Sequence, residues 1–197
     1  MSAAILLAAG ESTRMGRPKA LLPWAGSTLI EYQVAELAAA GVHEIVIVLG
    51  HEAEAVRPSV PDRARVVVNE AYREGRASSL RAGASALRDA ADPIVLLNID
   101  QPRPRHVIAE LLAAHLAGDA PITMPVHDGR HGHPVVLSGA LLPELRAATE
   151  GAAGLRGVIA QHADEARDVP IADPIVLLDI NTPEEYEAAL ARFAPQE

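Results

Sequence analysis

The sequence predicts a three-layer α/β/α fold around a mainly parallel sheet. Two observations carry this. Short apolar runs alternate with amphipathic stretches along the chain, and several runs are continuously apolar, as strands covered on both faces must be. No repeat or low-complexity linker interrupts the alternation, so the 197 residues read as one domain, 1–197.

The elements follow in order. Ile5–Ala8 is the first strand, and Thr28 to Ala40 the first helix: Thr28 and Glu31 form a capping box, and Gly41 ends it. Ile45–Leu49 and Val66–Val68 are strands, with a surface turn at Pro58–Pro61 between them. Ser78–Leu87 is helical, Ile94–Leu97 a strand and Arg105–Ala117 a helix. Val135–Leu137 is a strand, followed by helices Gly139–Ala148 and Leu155–His162 and a strand Ile175–Leu178. The final helix, Pro183–Phe193, has Thr182 at its N-cap, Pro183 at N1 and Glu185 at N3, the arrangement a first turn prefers.

Composition excludes several functions. The chain is 49% hydrophobic and 22% charged, with 17 basic against 26 acidic residues and a net charge of −9, which argues against nucleic acid as a partner. Cysteine is absent, which excludes disulfides, thiolate nucleophiles and cysteine-held metals, and fits a reducing cytoplasm. The apolar start MSAAILLAAG lacks a basic flank and breaks at Gly10 and Glu11. No apolar run approaches the roughly 20 residues that span a bilayer, so neither export nor a membrane partner is expected.

The loop LLAAGESTRMGRPKALLPW, residues 6–24, follows the first strand, where open α/β sheets bind ligands. It is not a Walker A loop: five residues separate Gly10 from Gly16, and Lys19 comes three after Gly16. Nor is it a dinucleotide fingerprint, because Pro18 and Pro23 delay the helix to Thr28. What remains is a phosphate-gripping loop, in which glycines let backbone amides approach an anion while Arg14 and Lys19 supply charge. Of the 17 basic residues only Lys19 is a lysine, a compact point charge rather than a planar fork. Asp100 ends the strand Ile94–Leu97 and so reaches the same sheet edge, where a carboxylate beside phosphates suits Mg2+. A further carboxylate and carboxamide, Asp179 and Asn181, follow Ile175–Leu178. In 127–134, His127, His131 and His133 would share one face if extended, although Gly129 and Gly132 loosen such a metal geometry.

The pattern Leu7-Ala8-Ala9-Gly10-x-Ser12-x-Arg14-Met15-Gly16-x-x-Lys19 resembles the signature loop of the MobA-like NTP transferases, which activate sugars, isoprenoid precursors and molybdopterin. Leu21-Leu22-Pro23-Trp24, Ser78-Ser79-Leu80, Asp100-Gln101-Pro102, Gly132-His133-Pro134-Val135, Gly154-Leu155-Arg156 and Asp179 to Glu185 are similar to the molybdenum cofactor cytidylyltransferase branch. The resemblance implies a Rossmann-like nucleotidyltransferase fold, the kind shared with nucleotide-diphospho-sugar transferases. It implies a reaction between a nucleoside triphosphate and a phosphorylated acceptor, molybdopterin in this branch, with release of pyrophosphate.

It also implies roles, residue by residue. Lys19 steadies the α-phosphate and Arg14 the triphosphate tail, while Ala8, Ala9 and Gly10 meet the nucleoside through the backbone. Ser79 faces the base or ribose, although a helix N-cap accounts for Ser78 and Ser79 almost as well. Asp100 and Asn181 hold Mg2+, with Asp179 as the alternative to Asn181, a position often aspartate in relatives. Arg130, His133 and Arg156 fall on the acceptor side. CTP is expected over GTP, because guanylyl-transferring relatives read Leu-Ala-Gly-Gly where this loop has Leu7-Ala8-Ala9-Gly10. A transient contact with a molybdoenzyme or its chaperone belongs to the same expectation. The alternatives are a GTP-dependent or sugar-phosphate enzyme, and a non-catalytic nucleotide-binding module that would need no Asp100.

Overall fold

In the computed structural model, which describes residues 1–193, the first apolar run lies inside the sheet. Strand β1 (Ala3–Ala8) leads through a small hairpin, β2 (Pro23–Trp24) and β3 (Ser27–Thr28), into helix α1 (Leu29–Ala39). Then come β4 (Glu44–Leu49), the single turn α2 (Ala53–Val56), β5 (Arg65–Val68), α3 (Arg76–Ala86) and β6 (Ile94–Asn98). The second half carries α4 (Arg105–Leu116), β7 (Ile122–His127), β8 (Arg130–His131), β9 (Val135–Leu137) and α5 (Leu142–Ala147). It closes with α6 (Gly154–Gln161), β10 (Arg167–Pro170) and α7 (Pro183–Phe193).

Eight strands form one sheet in the order β10-β7-β9-β6-β1-β4-β5, with β8 attached to β7. β1 pairs in parallel with β4 and β6, β4 with β5, and β7 with β10, while β9 runs antiparallel between β6 and β7. Side chains alternate across a strand, so β1 feeds two cores. Ala4, Leu6 and Ala8 pack with Leu29, Val34 and Leu37 of α1 and with Leu111 of α4; Ala3 and Ile5 pack with Leu80 and Ala84 of α3 and Leu145 of α5. This is the expected three-layer α/β/α arrangement. A Cβ on Gly83 would stand 2.5 Å from Ile5 Cγ2, so only glycine lets α3 lie this close to β1.

Local signals located the helices. Thr28 Oγ1 accepts from the Glu31 amide and Glu31 Oε2 accepts from the Thr28 amide, the reciprocal pair of a capping box. Gly139–Ala148 divides into a 3-10 turn, Gly139–Leu141, and α5, because Pro143 in the first turn starts a new helix rather than continuing one.

One expectation fails outright: Ile175–Leu178 is not a strand. It lies in a 3-10 turn, Pro174–Leu177, whose N-cap Asp173 accepts from the Ile175 amide at 2.9 Å. The Val176 carbonyl accepts from the His133 amide and from the Arg103 side chain, and the Leu178 carbonyl from Arg103, with no strand ladder formed. Besides the two-residue strands β2, β3 and β8, the longer β7 and β10 also went unanticipated. β7 contains Pro125, which reads against a ladder strand, and β10 is a polar edge with Arg167 and Asp168 exposed. Among the described residues, no helix is long and apolar enough to cross a membrane.

Candidate active site

The parallel strands β1, β4 and β6 end on one edge of the sheet, and the segments that leave them build the site. The end of β1 supplies Ala8 and the loop after it Ala9, Gly10 and Lys19, the segment after β4 supplies His51 and Glu52, and the segment after β6 supplies Asp100. All line one cavity of about 260 Å³. Its walls are tied together by the backbone: the His51 amide donates to the Ala9 carbonyl at 3.1 Å, and the Ile180 amide to the Asp100 carbonyl at 2.9 Å. Gln33 from α1, fully buried, donates to the carbonyls of Asn98 and Ile99 at 3.0 and 3.1 Å and so secures the end of β6.

Lys19 is the centre of the polar cluster. Its Nζ donates to Asp100 Oδ2 and to Asn181 Oδ1, each at 3.0 Å. These are residues 81 and 162 positions away, so the convergence is wholly tertiary. The Lys19 side chain is 11% exposed and that of Asp100 23%, so water screens this pair less than a surface pair. The Lys19 amide donates to Ser12 Oγ at 3.3 Å, which folds the glycine-bearing loop back on itself. Asn181 is set by the cap of α7: Glu185 Oε2 accepts from the amides of Asn181 and Thr182 at 2.7 and 3.2 Å.

The choice between Asn181 and Asp179 is therefore geometric. Asp179 Oδ1 accepts from Gln101 Nε2 at 2.6 Å, and Gln101 Oε1 accepts in turn from the side chain and amide of Asn98. Asp179 braces the Asp100-Gln101-Pro102 turn, while Asn181 faces the lysine. Ser79 lines the cavity, and its Oγ accepts from Asn69 Nδ2 at 3.0 Å. Helix α3 begins earlier than expected, with Gly75 at its N-cap, so neither serine is the cap. Ser78 instead bonds to the carbonyls of Ala71 and Gly75.

A second cavity, of about 450 Å³, adjoins the first. His133 and Arg156 line it over an apolar floor that includes Leu80, Leu96, Met124 and Ile159. Burial, with help from the nearby Arg103 and Arg76 cations, pulls the His133 imidazole down to about 4, so it is neutral at pH 7. It can meet a phosphate only as a neutral hydrogen-bonding group. Arg14 and Arg130 are exposed and line neither cavity, although His131, next to Arg130 in β8, lines the second. The three histidines of this segment do not converge: His127 Nδ1 donates to the Ile171 carbonyl, His131 pairs with Asp168, and His133 faces the cavity. Among the described residues no group of three or more histidine and acidic side chains forms a metal cluster.

Arg103 is the feature that sequence reasoning missed altogether. It is 0% exposed and donates to the carbonyls of His133, Pro102, Val176 and Leu178 at 2.9 to 3.0 Å. It thereby joins the segments that carry Asp100, His133 and Asn181. Burial lowers its guanidinium to about 9, opposed by the carboxylates of Asp179, Asp100 and Asp173, so it remains charged at neutral pH. The only local signal was an arginine between two prolines after a strand. Asn69, Glu52 and Arg76 were likewise unmarked by any motif.

The chain matches the family model of the MobA-like NTP transferase domain over residues 4–166. It is 34% identical over 195 residues to nicotine blue oxidoreductase of Paenarthrobacter nicotinovorans, covering 92% of each chain. It is 25% identical over 191 residues to molybdenum cofactor cytidylyltransferase of Escherichia coli K12, covering 96% of this chain and 95% of that one. The crystal structure of Rv0371c from Mycobacterium tuberculosis H37Rv matches with a TM-score of 0.83 at 29% identity, over 96% of this chain and 97% of that one. A complex of Rv0371c with manganese matches with a TM-score of 0.79 at 26% identity, over 96% of this chain and 98% of that one.

Proposed function

The chain belongs to the MobA-like NTP transferase family, and from that premise we propose that it transfers CMP from CTP to the phosphate of molybdopterin and releases pyrophosphate. The observation that carries the reading is the convergence of Lys19 Nζ, Asp100 Oδ2 and Asn181 Oδ1 at 3.0 Å, beside a second cavity with its own cation, Arg156. A nucleotide-binding module without chemistry needs no such cluster. Cytoplasmic location and delivery of the product to a molybdoenzyme or its chaperone complete the proposal.

In this reading the backbone of Ala8, Ala9 and Gly10 holds the nucleoside, Ser79 faces its base or ribose, and Arg156 with neutral His133 orients the acceptor phosphate. Phosphoryl-type transfer asks for positioning and charge neutralisation more than for a general base. Lys19 supplies charge at the α-phosphate; Arg14, for the triphosphate tail, and Arg130, for the acceptor phosphate, stand exposed outside the two cavities. The oxygens of Asp100 and Asn181 already face one cationic atom and fit a hard divalent ion. Magnesium is the proposed ion, since Mg2+ accepts one or two protein oxygens alongside water and phosphate, and the manganese complex of Rv0371c supports a divalent metal. When bound, it neutralises phosphate charge.

Lys19→Arg is expected to lower kcat/KM about a hundredfold although charge is conserved, because a larger, planar guanidinium does not fit the place of a compact ammonium whose side chain is 11% exposed. Steady-state pyrophosphate release measures this; an unchanged value would make Lys19 a bystander. The base is tested by the ratio of kcat/KM for CTP to that for GTP. Ala9 is 5% exposed, and a Cβ on Gly50 would stand 2.9 Å from its methyl, so this wall is closely set. Ala9→Gly should lower the ratio by about tenfold without inverting it. A wild-type ratio at or below one would move the protein to the guanylyl or sugar-phosphate branch.

The likeness to nicotine blue oxidoreductase favours a second reading, oxidation–reduction of a small molecule held over the apolar floor of the second cavity. Pyrophosphate release on mixing triphosphate and acceptor separates the two.

A further inference from the structure

Arg76 stands where the two cavities meet. With Leu7 and Asn98 it belongs to the walls of both, and among the described residues it is the only basic side chain that does. It is exposed, and among the described residues nothing holds its guanidinium. Its neighbours are different: Arg73 pairs with Glu11 at 3.1 Å, and Arg81 donates to the Ala148 carbonyl at 2.7 Å.

Arg76 is the first residue of the eleven-residue helix α3, whose first turn contains no acidic residue. A cation there faces the positive end of the helix dipole. The Glu150 carboxylate accepts from the Ala77 amide but forms no ion pair with Arg76. A cation that nothing among the described residues pairs, set at the junction of two cavities, is suited to an anion that spans them.

We propose that Arg76 is a catalytic residue that grips the phosphoryl group passing from nucleotide to acceptor. The proposal rests on the nucleotidyltransfer reading above. In that reaction an oxygen of the acceptor phosphate bonds to the α-phosphorus. The bond from that phosphorus to the oxygen bridging to the β-phosphate breaks, and its electron pair leaves on pyrophosphate; no proton needs to move. Negative charge spreads over the α-phosphoryl oxygens, which a guanidinium can meet two at a time. Lys19 provides a point charge within the first cavity, and Arg76 a fork at its border with the second.

The test compares wild type, Arg76→Ala and Arg76→Lys. Because Arg76 is exposed and unpaired, both variants should fold, which thermal denaturation checks. Arg76→Ala is expected to lower kcat for pyrophosphate release about a hundredfold and to weaken binding of inorganic tripolyphosphate, measured by calorimetry, several-fold. Added guanidinium should restore part of the Arg76→Ala turnover, a rescue that a purely structural loss would not show. Arg76→Lys should recover part of the binding but less of the turnover, lacking the fork. Wild-type turnover together with wild-type tripolyphosphate affinity in Arg76→Ala would overturn the proposal. If wild type itself releases no pyrophosphate while Arg76→Ala binds tripolyphosphate more weakly, the transfer reading falls and Arg76 stands as a phosphate ligand.

Discussion

Asp100→Asn is expected to lower kcat about a thousandfold while weakening CTP binding by less than about tenfold. The substitution keeps the shape of the side chain and removes its charge. Asp100 sits where β6 ends, with Oδ2 at 3.0 Å from Lys19 Nζ, and among the described residues it is the only charged partner of that lysine, the other being the Asn181 carboxamide. Without it the cluster becomes one cation facing two neutral amides. The balance that lets the cluster hold a divalent ion, and release Lys19 to the phosphates, is then lost. The contacts of the nucleoside with the loop after β1 do not involve Asp100, so ground-state binding should largely persist. Pyrophosphate release at varied CTP, set beside calorimetric binding of CTP, separates the two effects. Turnover within about threefold of wild type would remove Asp100 from the reaction.

Arg103→Met is expected to cost about 3–5 kcal/mol of stability, read from the urea midpoint. Methionine fills much of the volume but donates nothing. The carbonyls of Pro102, His133, Val176 and Leu178 would lose a donor together. A buried polar group left without a partner costs about 1–3 kcal/mol, and water entering the space would recover part of the sum. Arg103→Lys keeps charge and three donors but loses the fork, so an intermediate loss is expected. Activity should fall in both variants, because Arg103 spaces the segments that bear Asp100, His133 and Asn181. A loss below about 1 kcal/mol in Arg103→Met would show that these carbonyls do not depend on the guanidinium.

These two residues differ in how they can be found. Asp100 was legible because its signal is local: an apolar run, then a carboxylate, at the end of a strand in an alternating α/β pattern. The loop after β1 was legible for the same reason, as were the Thr28 and Thr182 caps, whose partners lie three residues away. Arg103 had no such signal. Its partners lie 1, 30, 73 and 75 positions away, and all are backbone carbonyls, which every residue possesses.

Local chemistry in the chain thus accounts for the layer order, the starts of the helices capped by Thr28 and Thr182 and the placing of Lys19 and Asp100 on one sheet edge, since periodicity and caps act within a few residues. Contacts distant in sequence decided the rest. Ile175–Leu178 has the composition of a strand, yet its carbonyls are taken by Arg103 and it folds as a turn. Pro125 weakens the reading of β7, but the antiparallel pairing with β9 and the parallel pairing with β10 hold it in the sheet. Asn181 rather than Asp179 faces Lys19, because Gln101 engages Asp179 first. Arg76 rather than Arg14 borders both cavities, because α3 carries it to their junction while the loop leaves Arg14 outside. Each outcome depends on which polar groups meet once the chain is packed, and a buried polar group takes the partner that packing provides, however far away in sequence.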